Sequence, residues 1–301
     1  MTSSQSSVRK LFSQSSHYLI GTALVTLSHL ITFPIFTRIF SVADYGLLSL
    51  ISITISVAFV ISKFGITSSS VRFYEECRMK KANFTLDNYY STFFITAVVT
   101  GFLTMLACFL IGYILLAASF DSTFSKLLFL AAVIVFLRTV VIALMSFIRA
   151  EQRTILFNLI DIANNYGGAA CSILLSLFII KGLYGFYTGQ IIIFLCTFFL
   201  LFWRFSTVHR VDLKNFSWEL FEESYKFGLP LIGLEFLNHI LTFGDRFFIK
   251  IFCDADALGI YSVGYNLSTY ISNIILIPLS MTIIPLLMKV WTNDGIEATK
   301  L

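Results

Sequence analysis

Long apolar stretches separated by short polar breaks run from residue 16 to residue 288. A helix of about 20 apolar residues crosses the hydrocarbon core of a bilayer, so each stretch predicts a transmembrane span. The pattern predicts eight, at 16–37, 44–66, 90–117, 125–148, 155–180, 183–203, 226–251 and 257–288. The last is long for one span, and Pro278 and Pro285 predict a kink or an early end within it.

A second pattern lies over the first. RIFSVADYG at 38–46 returns as KIFCDADALG at 250–259, 212 positions later. The match extends backwards, with Leu19-Ile20-Gly21 on Leu231-Ile232-Gly233 and Phe36 on Phe248. With one inserted residue, Gly46 and Ser49 meet Gly259 and Ser262. Span seven therefore repeats span one, span eight repeats span two, and the two phrases are the outer turns of equivalent hairpins. The longest connection, RFSTVHRVDLKNFSWELFEESY, divides six spans from two. The expected architecture is an all-α polytopic membrane protein: a six-helix N-terminal lobe (1–203), a cytoplasmic linker (204–225) and the first two helices of an incomplete C-terminal lobe (226–301). Internal repeats of this kind characterise transporters, whose substrate sits between two halves that rock against each other. A second bundle needs six helices and two are supplied, so the chain is expected to be a C-terminally truncated piece.

Composition agrees with the spans. Of 301 residues, 57% are hydrophobic and 13% charged, with 33 phenylalanines and a mean hydropathy of +0.85, against about 25% charged in soluble domains. The five cysteines (Cys77, Cys108, Cys171, Cys196, Cys253) show no CxxC or Cys/His spacing, which argues against a disulfide framework or a zinc site. The leader MTSSQSSVRKLFSQSS is polar, and no small-residue cleavage site closes a short apolar region after it. The first span is expected to stay in the mature protein.

Charge sets the orientation through Lys and Arg in the connections. With a cytoplasmic N-terminus, the inner segments hold Arg9, Lys10, Arg72, Arg78, Lys80, Lys81, Arg149, Arg153, Arg204, Arg210, Lys214, Lys226, Lys289 and Lys300. The outer ones hold Arg38, Lys126, Lys181 and Lys250. Fourteen against four places both termini of this chain in the cytoplasm.

SSHYLIGTALVTLSHLITFPIFTRIFSVADYGLLSL resembles the first hairpin of the polysaccharide-export, or O-antigen repeat-unit, flippases. These belong to the multidrug/oligosaccharidyl-lipid/polysaccharide exporter superfamily. GDRFFIKIFCDADALGIYSVGYNLS is similar to that family's seventh span, on Asp245, Arg246, Gly259, Tyr261 and Ser262. The resemblance implies twelve to fourteen spans in two lobes around a central cavity. It also implies translocation of a polyprenyl-pyrophosphate-linked oligosaccharide across the bacterial plasma membrane. The implied partners are that lipid, the surrounding membrane lipids and the polysaccharide polymerase or ligase machinery, with no nucleic acid.

Ionisable groups inside a bilayer cost at least ~2.5–3.5 kcal/mol each, so each one marks a candidate site. Arg138 lies eleven residues before Arg149, about 16 Å of helix from the inner end and too deep to snorkel. Its guanidinium fork suits pyrophosphate oxygens, or it pairs with Asp161 on the next span. Arg246 is the second pyrophosphate candidate. In span seven, Glu235, Asn238, His239, Thr242 and Arg246 share one helix face, which predicts a cavity lining or burial against polar neighbours. Glu235 and His239, four apart, are candidates for cation coupling as a protonation pair. No cofactor is expected, and a proton or sodium gradient is the candidate drive.

His29 forms a weaker stripe with Thr22 and Thr26, read as cavity lining or helix–helix bonding. Lys63 either snorkels to the headgroups or reaches substrate. Arg38, Lys250, Asp44 and Asp256 suit the macrodipoles of helix ends. Asp161 and Asn164 belong to the polar run DIANNYGG, where Asn164 and Tyr166 either meet sugar hydroxyls or pack.

An enzyme of the same pathway would need acidic clusters or a large outer loop. The outer connections are short, and no nucleotide-binding glycine loop or metal-ligand pattern occurs. The expected function is flipping of lipid-linked oligosaccharide by alternating access. The alternatives are a cation-coupled multidrug exporter of the same superfamily and a transport-inactive fragment.

Overall fold

A computed structural model describes residues 3–79, 84–118, 121–208, 211–254 and 256–272. Among the described residues every regular element is helical and none is a strand. The helices are α1 (Ser3–Ile39), α2 (Val42–Ser62), α3 (Ile66–Arg78), α4 (Leu86–Ala117), α5 (Ser122–Ala150), α6 (Thr154–Leu174), α7 (Leu183–Val208), α8 (Trp218–Phe243), α9 (Asp245–Phe252) and α10 (256–272). A π-helical turn, Leu175–Ile179, ends α6. Among the described residues six helical segments are long and apolar enough to cross a bilayer, and seven with α8 and α9 counted as one bent span. This is the all-α polytopic architecture that the apolar stretches predict. Below, the outer end is the end holding the α1–α2 turn.

α1 begins at Ser3, well before the span expected from residue 16, and three further elements depart from the expected boundaries. The connection expected at 67–89 is largely helix: Phe64 and Gly65 turn the chain with φ of +48° and +72°, and α3 follows. Its one-sided burial of Ile66, Ser69, Ser70, Phe73, Tyr74 and Cys77 is amphipathic, and average hydropathy does not register such a face. The linker expected at 204–225 is shorter, because α7 runs on to Val208 and α8 starts at Trp218. The Ser217 hydroxyl accepts from the Leu220 amide, 3.3 Å away, and so caps α8. Span seven is not straight, since α8 and α9 meet at a 41° bend on Gly244. A Cβ there would lie 2.5 Å from the Ile240 carbonyl oxygen, so the bend requires glycine. Span eight is helical through residue 272. Its expected kinks at Pro278 and Pro285 lie outside the described residues, as do Lys80, Lys81, Arg210, Lys289 and Lys300.

The core sits around α5, which is buried along most of its length. Toward the outer end Leu127, Leu128, Ala131 and Val135 pack with Ile51, Ile55, Phe186 and Tyr187. Toward the inner end Leu144 and Phe147 pack with Tyr89, Tyr90, Phe205 and Leu220. Helices approach closely where residues are small. On α7, a Cβ at Gly189 would lie 2.6 Å from the backbone nitrogen of Ser172, and the Ser172 hydroxyl donates to the Phe186 carbonyl at 2.8 Å. Between α2 and α5, the Ser62 and Thr139 hydroxyls bond at 2.7 Å.

The last hairpin lies against the first. α8 runs antiparallel to α2 and α3, with Gly228 on Gly65 so tightly that a Cβ at Gly65 would lie 2.7 Å from the Gly228 Cα. Ser69 donates to the Ser224 carbonyl at 2.9 Å, and the Arg72 guanidinium sits 4.4 Å from the Phe227 ring centroid. At the other end of the hairpin, the α10 residue Tyr270 stacks on His29 of α1, at 6.0 Å and 9°.

Candidate functional site

A guanidinium and a carboxylate carried inside an apolar bundle need a polar space to share. One exists between α1, α2, α5, α6 and α7, a cavity of about 390 Å³. Arg138 enters it from α5, Asp161, Asn164 and Asn165 from α6, Ser28, His29 and Thr32 from α1, and Gln190 from α7. Arg138 is half-buried. Its guanidinium lies over the Phe59 ring, 4.2 Å from the centroid, a cation–π contact. It makes no hydrogen bond or ion pair with any described residue. Asp161 accepts from Asn165 Nδ2 at 3.2 Å, so the two opposite charges wall one cavity without closing on each other. Asn164 accepts from the Thr197 hydroxyl on α7, and Tyr166 ties α6 to α1 by donating to the Leu24 carbonyl at 2.9 Å.

A second cavity, about 300 Å³, adjoins the first and shares His29, Thr32, Phe36, Phe186 and Gln190 with it. Its remaining walls come from Phe33 of α1, from α2, the α8–α9 bend and α10. Arg246 stands here, only 3% exposed. It donates from Nη1 to the Ser49 hydroxyl at 2.8 Å and from Nη2 to Asn266 Oδ1 at 3.1 Å, while its buried Nε has no partner among the described residues. Asn266 in turn donates to the Tyr45 hydroxyl at 3.3 Å. The Arg246 guanidinium is flanked by the rings of Tyr265 and Phe243, at 4.8 and 5.3 Å.

The structure thus brings His29, Arg138, Asp161, Asn164 and Arg246 to two adjoining cavities and places the other candidates elsewhere. Lys63 caps α2 and donates its ammonium to the Glu235 carboxylate on α8. His239 sets Nδ1 3.0 Å from the Glu235 backbone oxygen, so the Glu235 and His239 side chains take different partners and do not form the expected pair. Asn238 and Thr242 are exposed, and Thr242 back-bonds to the Asn238 carbonyl at 2.7 Å. The five-residue stripe is interrupted by the 41° bend at Gly244, and Arg246 alone of the five lines the second cavity. Thr26 likewise back-bonds to Thr22 at 2.9 Å, and the cavity face of α1 is Ser28, His29 and Thr32 instead.

Gln190, Asn266, Tyr45 and Tyr270 wall the cavities without having been singled out by sequence reasoning. Gln190 carried a signal, an amide inside the apolar run FYTGQIIIF. The tyrosines carried none, because aromatic residues are common throughout the spans.

Comparison with known proteins gives a family and a fold. The family described as polysaccharide biosynthesis protein matches residues 12–291. No curated protein matches the chain. Among solved structures, a multidrug resistance MATE family transporter of the MOP superfamily, in an inward-facing conformation, superimposes with a TM-score of 0.72. It is 11% identical, over 91% of this chain and 64% of that one. A MATE protein in complex with MaD5 gives 0.61 at 15% identity, over 84% and 62%. A MOP superfamily transporter from Pyrococcus furiosus, described by a binding pocket of reverse polarity that suggests a different function, gives 0.59 at 15%, over 84% and 61%. The chain spans less than two thirds of each of these three. At such identities the likeness establishes the fold.

Proposed function

This chain belongs to the polysaccharide biosynthesis protein family, and from that premise we propose that it moves a polyprenyl-pyrophosphate-linked oligosaccharide across the bacterial plasma membrane by alternating access. The solved structures that share the fold are described as MATE or MOP superfamily transporters, which supports a transport reading. The substrate is read from one observation. Arg138 faces a cavity from the middle of α5, held over an aromatic ring, with its N–H groups unused by the described residues. Such a group is poised for an anion that arrives from outside the chain, and its planar fork matches two phosphate oxygens at once. Arg246, with two nitrogens already donating to Ser49 and Asn266, fixes the helices that wall the second cavity and stands as the weaker pyrophosphate contact.

The drive would be a proton or sodium gradient. A proton taken up by Glu235 would undo the Lys63 contact and so reach the interface between the two hairpins. Both termini of this chain would lie in the cytoplasm, and polymerase or ligase machinery would take up the flipped product.

One observation favours the rival, a cation-coupled multidrug exporter: Asp161 offers a carboxylate on the same cavity wall. The test is mass spectrometry of the lipid extract, with a surface-polymer assay, in a strain whose full gene carries Arg138→Ala. Accumulated lipid-linked oligosaccharide and lost polymer at normal protein level are expected, with partial recovery in Arg138→Lys. An unchanged lipid pool with altered drug sensitivity would move the assignment to the exporter.

A further inference from the structure

We infer that the second cavity is a glycan chamber, so that this protein reads the pyrophosphate and the sugar of one substrate in two adjoining rooms. The inference rests on the flippase reading above and adds to it the division of the site. A sugar ring has a flat C–H face and a rim of hydroxyls. Its complement is an aromatic platform with neutral donors and acceptors at its edge, the general make-up of a small-molecule pocket with a few placed polar groups.

The second cavity has that make-up. Its aromatic wall is continuous across three helices: Tyr270 of α10 lies edge-to-face with Phe33 of α1 at 5.9 Å, and Phe33 edge-to-face with Tyr45 of α2 at 6.4 Å. The polar groups beside them are amides and hydroxyls, with Gln190 and Ser49 among them. Its one formal charge besides His29 is Arg246, whose two Nη atoms each donate once to the wall, to Ser49 and Asn266. A diphosphate here would compete with those two contacts for Arg246 and would otherwise meet rings, amides and hydroxyls. In the first cavity it would meet Arg138, whose guanidinium rests on the Phe59 ring and makes no hydrogen bond with a described residue.

The wall between the rooms identifies the residue that reads the junction. Gln190 borders both cavities, and its amide makes no hydrogen bond with any described residue. A primary amide offers two donors and an acceptor, which suits the hydroxyls of the first sugar after the phosphate. His29, stacked on Tyr270, closes the same wall from α1.

The experiment measures binding to the full-length purified protein in detergent, using two probes. One is polyprenyl pyrophosphate with no sugar, and the other is the polyprenyl-pyrophosphate oligosaccharide extracted from the host strain. The wild type is expected to hold the sugared lipid at least about tenfold more tightly than the bare one. Gln190→Leu is expected to weaken the sugared lipid by about tenfold, the scale of one or two lost hydrogen bonds, and to leave the bare lipid unchanged. Arg138→Ala is expected to weaken both. Tyr270→Phe, which keeps the ring, checks that a loss in Tyr270→Ala comes from the platform and not from misfolding. Equal affinity of the wild type for the two probes would overturn the glycan chamber and leave the flippase reading standing. So would a Gln190→Leu effect that is absent or equal on both. Failure of the wild type to bind either probe would overturn the flippase reading and the chamber with it.

Discussion

The contact between Lys63 and Glu235 gives an unequal pair of perturbations. The Lys63 side chain is 11% exposed, while that of Glu235 is 39% exposed. Removing one partner of a fully buried ion pair costs about 3–5 kcal/mol, and an exposed pair is worth about 0–1 kcal/mol. Glu235→Gln strands the ammonium, which is the buried member, with the Phe59 ring at 5.5 Å as its second contact among the described residues. Its cost should therefore approach ~2–3 kcal/mol, below the fully buried figure because one side of the pair is wet. Lys63→Met removes the buried charge, keeps the stem's volume and leaves a carboxylate that retains access to water. Its cost should be about 1 kcal/mol or less. The double variant should be more stable than Glu235→Gln alone, because it no longer contains a stranded charge. Thermal unfolding of the purified protein in detergent, followed by fluorescence-detected gel filtration, reads the order. Single effects that simply add in the double variant, or a Lys63→Met loss larger than the Glu235→Gln loss, would refute the pairing and the burial argument behind it.

Gly259→Ala places a Cβ 2.1 Å from the Val42 carbonyl oxygen, and the resulting overpacking should lower stability by about 1–3 kcal/mol, seen as a reduced melting temperature. Gly65→Ala should be at least as costly, since φ of +72° adds about 1–2 kcal/mol of left-handed strain to a Cβ 2.7 Å from the Gly228 Cα. Gly233→Ala is the control in the same assay. Nothing lies within 4 Å of its Cβ, so stability should hold or rise by up to ~1 kcal/mol. Tyr89→Phe removes a buried hydroxyl that donates to the Ser70 carbonyl at 2.9 Å and should cost about 1–2 kcal/mol, with the melting temperature falling accordingly.

The spans were legible because about 20 apolar residues in a row have few other uses. Helices α4, α5 and α7 stand where the hydropathy places them. What lay outside that signal depends on single backbone sites. The break at Phe64-Gly65 and the bend at Gly244 are set by one or two residues inside otherwise continuous apolar or amphipathic runs. A glycine in such a run reads equally as a break or as a close contact, and Gly228 is a close contact. The site was half legible for a related reason. Arg138 and Asp161 announce themselves because charge in an apolar span is costly, and both wall the first cavity. Thr22, Thr26 and Thr242 look like cavity residues by spacing, yet Thr26 and Thr242 spend their hydroxyls on their own helices. Serine and threonine can always satisfy themselves that way, so their spacing alone carries little information about a cavity.

The repeated phrase gives an expectation for how the two hairpins meet. If a two-fold axis related the hairpins, a contact of span one with span eight would be matched by a contact of span seven with span two. Both contacts are present: Tyr270 of α10 meets His29 and Phe33 of α1, and α8 and α9 follow α2 and α3 from Gly228 on Gly65 to Arg246 on Ser49. The outer turns touch as well, with Gly259 seated on Val42 of the equivalent phrase. The two contacts are chemically different. The first is made of rings, and the second carries an ion pair, glycine contacts and the Arg246 clasp. Rings separate at the cost of apolar area alone, whereas the second contact needs each broken donor and charge to find water or another partner. If the hairpins part during transport, the α1–α10 seam is the one that opens with least polar cost, and the second cavity, with its aromatic wall, lies directly behind it.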